Sequence, residues 1–254
     1  MVMGSHMKKI LLLLLGMPLL AFSLGVAASE AEAPLDRAPV NLGDKASLQR
    51  GAKYFINYCL NCHSASYMRY SRLQDLGLTE KQIKDNLLFT ADKVGDTMVT
   101  ALAAKDSREW YGSAPADMSV IARSRTPDWL YTYMRTFYRD DSSPSGWNNG
   151  TFRNVAMPHA LYELQGVQVL QKVGSRVGHE GKDEPVMKLV LDRPGTLSPR
   201  EYDEMAGDLV NYLVFMGEPS RAQRSQIGVL VLFFLVILYV LTLLLKLEYW
   251  KDVK

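Results

Sequence analysis

Cys59-Leu60-Asn61-Cys62-His63 decides how this chain of 254 residues is read. Two thiols three positions apart sit on one helical turn, with an imidazole immediately after them. That spacing is the attachment signature of a c-type haem. Each thiol adds across one haem vinyl group, and the adjacent His63 then offers its ring to the iron. Covalent attachment removes most of the entropy cost of holding the group. These are the chain's only two cysteines. A zinc site needs four ligands, and His159 and His179 lie too far apart for a finger-type pair. A thioredoxin-like dithiol needs a βαβ pattern around it, and none is present.

Upstream of the motif, Ala46 to Cys59 has helical periodicity, with Gly51, Tyr54, Phe55 and Tyr58 on one face. Before it, Ser29 to Asp44 is rich in Ala, Glu and Pro and reads as an extended lead-in. The N-terminus carries the marks of a secretory signal over residues 1–28: Lys8 and Lys9, the apolar run Ile10 to Leu24, and the small residues Val26-Ala27-Ala28. Residues before Met7 are set aside, which leaves His6 without a role.

Downstream, Thr79 with Gln82 forms a capping box that opens a helix with Ile83, Leu87 and Leu88 inward. Thr126-Pro127-Asp128 opens another, running through Trp129, Leu130, Tyr133, Met134, Phe137 and Tyr138. Asp140 to Gly150 has the composition of an open loop. Between Gln165 and Leu191 the valines and leucines flank a charged, Gly-rich stretch, which predicts a small hairpin. Ser198-Pro199-Arg200-Glu201 is a second capping box. Its helix buries Tyr202, Met205, Leu209, Tyr212, Leu213 and Met216 and is expected to stop at Gly217 in a left-handed cap, with Pro219 behind it.

Ile227 to Leu245 then runs for 19 residues without a charge. As a helix it spans about 28 Å, close to the thickness of a bilayer's hydrocarbon core. Arg224 and Lys246 bracket it, and Tyr249 and Trp250 stand where interfacial aromatics belong. The expected organisation is therefore a signal over 1–28, an exported domain over 29–220, and an anchor with a short internal tail over 221–254. Ser29 to Ser220 holds 22 Lys and Arg against 25 Asp and Glu. That mildly acidic balance argues against nucleic acid as a partner and favours basic ones.

A second axial ligand for the iron has to come from elsewhere in the chain. Twelve methionines are present, so the residue type alone decides nothing. Met68 is too near His63 to reach round a haem. Met134, Met205 and Met216 fall on core-facing stripes, Met98 and Met118 lie in or beside helical stretches, and Met187 is in the hairpin. Met157 stands apart in Asn154-Val155-Ala156-Met157-Pro158, where proline fixes the backbone behind it. His159, two residues on, is the rival candidate.

The motif Cys59 to Ser64, with Tyr67 and Tyr70, is followed by Ala114-Pro115-Ala116-Asp117-Met118-Ser119 and Ala122-Arg123-Ser124-Arg125. Together with Val155-Ala156-Met157-Pro158 and a final helix leading into one anchor, this arrangement resembles the cytochrome c1 family, in a short bacterial form. One departure is Ala116, where the family usually has a second proline. The resemblance implies an all-α cytochrome c fold with a small β-hairpin insertion and one C-terminal transmembrane helix. It implies one haem c, with His63 and Met157 on the iron and Arg125 paired with a propionate. It also implies cytochrome b and Rieske iron–sulfur partners, a cytochrome c acceptor, and a bacterial inner membrane with the haem domain in the periplasm. An independent membrane-anchored cytochrome serving a terminal oxidase is the alternative, and the 93 residues between His63 and Met157 are long for it.

Overall fold

The computed structural model describes residues 34–177 and 183–251. The expected signal over 1–28, the first residues of the lead-in and His179 lie outside these described residues. In chain order the elements are α1 (Lys45–Tyr54), a π-helical turn (Phe55–Cys59), β1 (Ala65–Arg69), a 3-10 helix (Tyr70–Leu76), α2 (Glu80–Asn86) and β2 (Thr97–Met98). Then come α3 (Ala104–Tyr111), α4 (Ile121–Ser124), α5 (Pro127–Arg135), β3 (Phe137–Arg139), β4 (Trp147–Asn149) and α6 (Tyr162–Gln165). The chain closes with β5 (Gly166–Val177), β6 (Asp183–Pro194), α7 (Pro199–Gly217) and α8 (Arg221–Tyr249).

Helix α7 is the spine. Its start is the expected capping box: Ser198 Oγ accepts from the Glu201 N–H, and Glu201 Oε2 accepts from the Ser198 N–H at 2.9 Å. Every residue from Leu209 to Met216 is buried, so this half of the helix is surrounded on all sides. Helices α1, α4 and α5 pack against it, α1 most extensively. Helix α1 is itself capped by Asp44, whose carboxylate accepts from the Ser47 N–H at 3.0 Å. Where α1 crosses α7, Gly51 lies against the Asp208 carbonyl and Tyr212 Cβ, too close for any side chain. Arg50 closes the same crossing with a two-point contact to Asp208, at 2.6 and 3.0 Å.

The lead-in is a strap over these helices. The Asp36 N–H donates to Thr132 Oγ1 at 2.8 Å, and the Ala38 N–H to Asp128 Oδ1 at 2.8 Å. Fully buried Asn211 accepts from the Asn41 N–H and donates to the Asn41 carbonyl and to Ser47 Oγ. Arg135 lies over the Tyr131 ring, grips Asp203 through two nitrogens and reaches Asp36 at 2.5 Å.

Several expectations are corrected. The all-α expectation holds only loosely: beside the helices and the expected hairpin, the described residues contain two further two-stranded antiparallel sheets. The helix opened by Thr126 ends at Arg135, and Phe137 and Tyr138 belong to β3. Asp140 to Gly150 is not wholly open. Its far end is β4, paired to β3 through Phe137↔Asn149, and Gly146 at φ +72° makes the turn between them. The hairpin is present but long, 12 residues to each strand, with Leu170 opposite Leu189. Met98 lies in β2 rather than beside a helix and is fully buried. Gly217 is the last residue of α7 and is not left-handed; the helix stops because Pro219 forces Glu218 into extended backbone, φ −159°. The capping box at Thr79, by contrast, forms as expected.

Helix α8 contains an apolar span, Ile227–Tyr249, of 23 residues, none of it buried inside the protein. At 1.5 Å per residue it is about 35 Å long, enough to cross a bilayer with some tilt. The Lys246 ammonium lies 5.9 Å from the Trp250 ring centroid, at the end where both side chains suit a headgroup layer.

The crossing at Gly51 yields a test. Gly51→Ala puts a methyl group into the Asp208 carbonyl and forces α1 off α7. Over-packing of this kind costs about 1–3 kcal/mol, which should appear as a lower midpoint in denaturant titration of the detergent-solubilised protein. An unchanged midpoint would refute the tight crossing.

Candidate haem-binding site

Helix α1 delivers the motif. Its last turn widens, the Leu60 N–H reaching back five residues to the Phe55 carbonyl at 2.9 Å. The chain then closes tightly: the Cys62 and His63 N–H groups both donate to the Cys59 carbonyl, at 3.0 and 2.8 Å. This puts both thiols and the imidazole on the same wall. Burial pushes the Cys59 thiol up to about 12, aided by the neighbouring Cys62, whose own thiol is also raised by burial. A redox dithiol depends on a lowered thiol pKa, so this pair has the opposite electrostatics. Among the described residues no group of three or more His, Cys, Asp or Glu is arranged to hold a metal ion by itself.

His63 Nδ1 lies 2.7 Å from the Ala116 carbonyl. A carbonyl only accepts, so Nδ1 carries the proton and Nε2 keeps its lone pair. Burial lowers the pKa of His63, with Ala116 and Asp117 acting against it, so the ring is held neutral. The carbonyl that orients it is itself fixed. Asp117 accepts from the Ser66 N–H and hydroxyl and from the Ser119 N–H, while the Met118 N–H donates to the Ser64 carbonyl at 2.7 Å. Burial works against the Asp117 carboxylate, but these hydrogen bonds outweigh it and hold its pKa below the usual value. The departure at Ala116 leaves this clamp intact, because only the backbone carbonyl is used.

Met157 comes from the other side, on a loop hung from buried Asn149. The Asn149 side chain donates to the Tyr133 carbonyl at 2.8 Å and accepts from the Thr151 and Phe152 N–H groups at 2.8 and 3.0 Å. Asn154 turns the chain at φ +57°, a left-handed conformation asparagine tolerates, and its N–H is held by Asn148 Oδ1. Behind the loop runs an aromatic ladder. Trp129 stacks on Tyr133 at 4.9 Å, Tyr133 meets Phe137 edge-on at 5.0 Å, and Phe137 stacks on His159 at 4.7 Å.

These segments enclose two adjoining cavities of about 300 and 90 Å³, both lined by Cys59, His63, Ser113, Pro115 and Met157. Cys62, Tyr58 and Tyr111 line the smaller, and Arg125, Trp129 and Tyr133 the larger. All five residues singled out in the sequence therefore meet at one place. The Arg125 guanidinium sits 4.8 Å over the Trp129 ring and, among the described residues, makes no ion pair. His159 lines neither cavity. Gln165 donates its amide to the Arg135 carbonyl and so turns its oxygen to His159, 2.7 Å from Nε2. Burial lowers the His159 pKa to about 4 and keeps the ring neutral in the core.

The donor set suits a covalently held haem: two protonated thiols for thioether bonds, an imidazole nitrogen with a free lone pair, a thioether sulfur, and apolar walls around a large slot. Sequence reasoning missed Asn149, whose Asn-Asn-Gly setting suggested only a loop, and treated Tyr133 as core packing.

The sequence model described as the Cytochrome C1 family matches residues 37–94 and 190–253. A protein of Nitrosomonas europaea named ammonia monooxygenase gamma subunit is 47% identical, over 97% of this chain and 98% of its own length. Cytochrome c1 of Allochromatium vinosum is also 47% identical, over 95% of this chain and 98% of its own. Cytochrome c1 of Rhodospirillum rubrum is 28% identical over 83% of each. The chain belongs to the cytochrome c1 family. Members carry one covalently bound haem c, and so does this protein. It is a membrane-anchored electron-transfer haem protein of the respiratory chain. Arg125 and Met157 lie between the two blocks that the family model matches.

The loop's suspension is testable. Asn149→Ala removes one donor and one acceptor that satisfy three buried or half-buried backbone groups. Leaving such groups unpaired costs about 1–3 kcal/mol each. Thermal stability should fall, and amide exchange should quicken over residues 150–158 ahead of α7. Uniform acceleration across the domain would count against a local role.

Proposed function

We propose that this chain is the haem-bearing subunit of a quinol–cytochrome c reductase, taking electrons from a Rieske iron–sulfur protein and passing them to a cytochrome c. The reading is carried by the meeting of Cys59, Cys62 and His63 with Met157 around one apolar slot. In it, Cys59 and Cys62 would hold the haem through thioethers, His63 Nε2 and Met157 Sδ would donate to its iron, and Arg125 would pair with a propionate. The bound haem supplies a one-electron couple. The chain's own residues set its conditions: Ala116 keeps the His63 lone pair free, the Met157 thioether favours the ferrous state, and Arg125 offsets carboxylate charge. Quinol oxidation itself belongs to partner subunits. The site is consistent with a cytochrome c fold, augmented by the sheets described above.

By this reading residues 1–28 are a signal, 29–220 a periplasmic haem domain beside cytochrome b and the Rieske protein, and 221–254 an anchor and tail in a bacterial inner membrane. The Nitrosomonas relative's name points to a different assembly. Gentle detergent purification separates the two: b-type haem should co-purify with this chain, and its consistent absence would overturn the proposed partnership.

Two outcomes test the site. Haem should survive acid acetone extraction, and its release would rule out the thioether bonds. Met157→Leu should lower the reduction potential and allow carbon monoxide to bind the reduced protein. An unaltered potential and spectrum would remove Met157 from the iron.

A third outcome tests the boundary. Because the span over Ile227–Tyr249 buries nothing against the rest, the chain ended at Ser220 should be exported soluble and keep its haem spectrum, yet fail to restore quinol oxidation in membranes. Loss of haem on truncation would make the anchor part of the fold.

A further inference from the structure

We propose that Tyr133 is a positioning residue for the Met157 sulfur, its hydroxyl setting both the direction and the donor strength of the thioether; the inference rests on the reading that Met157 faces the haem. Tyr133 Oη donates to Met157 Sδ at 3.4 Å, and among the described residues the hydroxyl has no other acceptor. The ring is 8% exposed and cannot swing away. Trp129 covers one side, Phe137 meets its edge, and its own carbonyl is held by Asn149. Asn149 also suspends the methionine loop, so hydroxyl and sulfur are positioned from one buried side chain.

Stability alone does not account for a hydroxyl here. A thioether is a weak acceptor, and burying a hydroxyl against one is poorer for folding than the same ring without it. Phenylalanine would keep the contacts with Trp129 and Phe137. The consequence falls on the sulfur. A methionine side chain is flexible and its sulfur has two lone pairs; a donor fixed on one of them turns the other toward the slot that Met157 and His63 share. A hydrogen bond to a ligand sulfur also draws off electron density, which weakens its donation to ferric iron and raises the potential. The chain contains a control for this reasoning. Tyr212 donates to Met98 Sδ at 3.7 Å, but Met98 is fully buried and lines neither cavity.

The test is a double-mutant cycle on the full-length holoprotein in detergent, read by potentiometric titration and ferric absorption. Tyr133→Phe should lower the midpoint potential, so that the ferric to ferrous ratio at a fixed ambient potential rises several-fold, with no loss of thermal stability. In a Met157→Leu chain the same substitution should do nothing further, because the sulfur it acts through is gone. Tyr212→Phe should leave the potential where it was. No shift from Tyr133→Phe in the Met157 chain overturns the inference. An equal shift in both backgrounds also overturns it, since the effect then comes from ring polarity and bypasses the sulfur. If Met157→Leu itself changes neither potential nor spectrum, the reading of Met157 fails first and takes this inference with it, an outcome distinct from the other two.

Discussion

The close approach of α1 to α7 at Gly51 is the constraint from which the rest follows. With a side chain at that position the helices could not meet over the Asp208 carbonyl, and Phe55 could not lie against Tyr212 at 5.7 Å between ring centroids. Helix α7 is fixed from its other side by α5 and by the strap that Asn211 holds down. The end of α1, and with it the thiols and imidazole of the motif, is therefore placed by a contact whose Phe55 and Tyr212 are fully buried. The motif's own loop is too short to choose its position. What it contributes is the tight turn on the Cys59 carbonyl.

The opposite wall is built by another kind of force. Around Met157 the segments are short, and their order comes from polar side chains acting as substitutes for secondary structure. Asn148, Asn149 and Gln165 each satisfy backbone groups of the neighbouring strand, helix end or loop. A pairing of this sort has little slack, because a buried amide that loses one partner leaves several groups unpaired together. One wall of the slot is thus held by helix packing and the other by hydrogen-bond geometry.

How much of this was legible in the sequence follows from the same division. The two capping boxes, the haem motif, the anchor and the core stripe of α7 were readable because each depends on local spacing. Met157 was singled out by its proline, a local cue. Its neighbour His159 is the rival candidate by chemistry, and only the tertiary contact with Gln165, set by where α6 lies, takes it out of the slot. The β3–β4 pairing was hidden for a similar reason: Phe137 and Tyr138 continue the helical stripe of Trp129 and Tyr133, and the break at Thr136 is visible only once Asn149 is seen across from Phe137. Gly217 misled in the reverse direction. Glycine at a helix end suggests a left-handed cap, yet it remains helical beside Arg123, and Pro219 does the stopping.

The aromatic ladder shows why the two walls need not compete. Trp129, Tyr133 and Phe137 are spaced four apart, as a single helix face would have them, although the last lies in a strand. The ladder crosses the helix end without interruption and finishes on His159, so the histidine is held as one more flat ring in a stack. Burial favours that neutral state and opposes protonation. The same stack presents Arg125 above Trp129 at one end of the slot, where a cation over an aromatic face keeps its charge without an acidic partner among the described residues. A carboxylate paired there would have neutralised the guanidinium. A ring leaves its charge available to whatever enters the slot, which is the requirement for recognising a group that brings negative charge of its own.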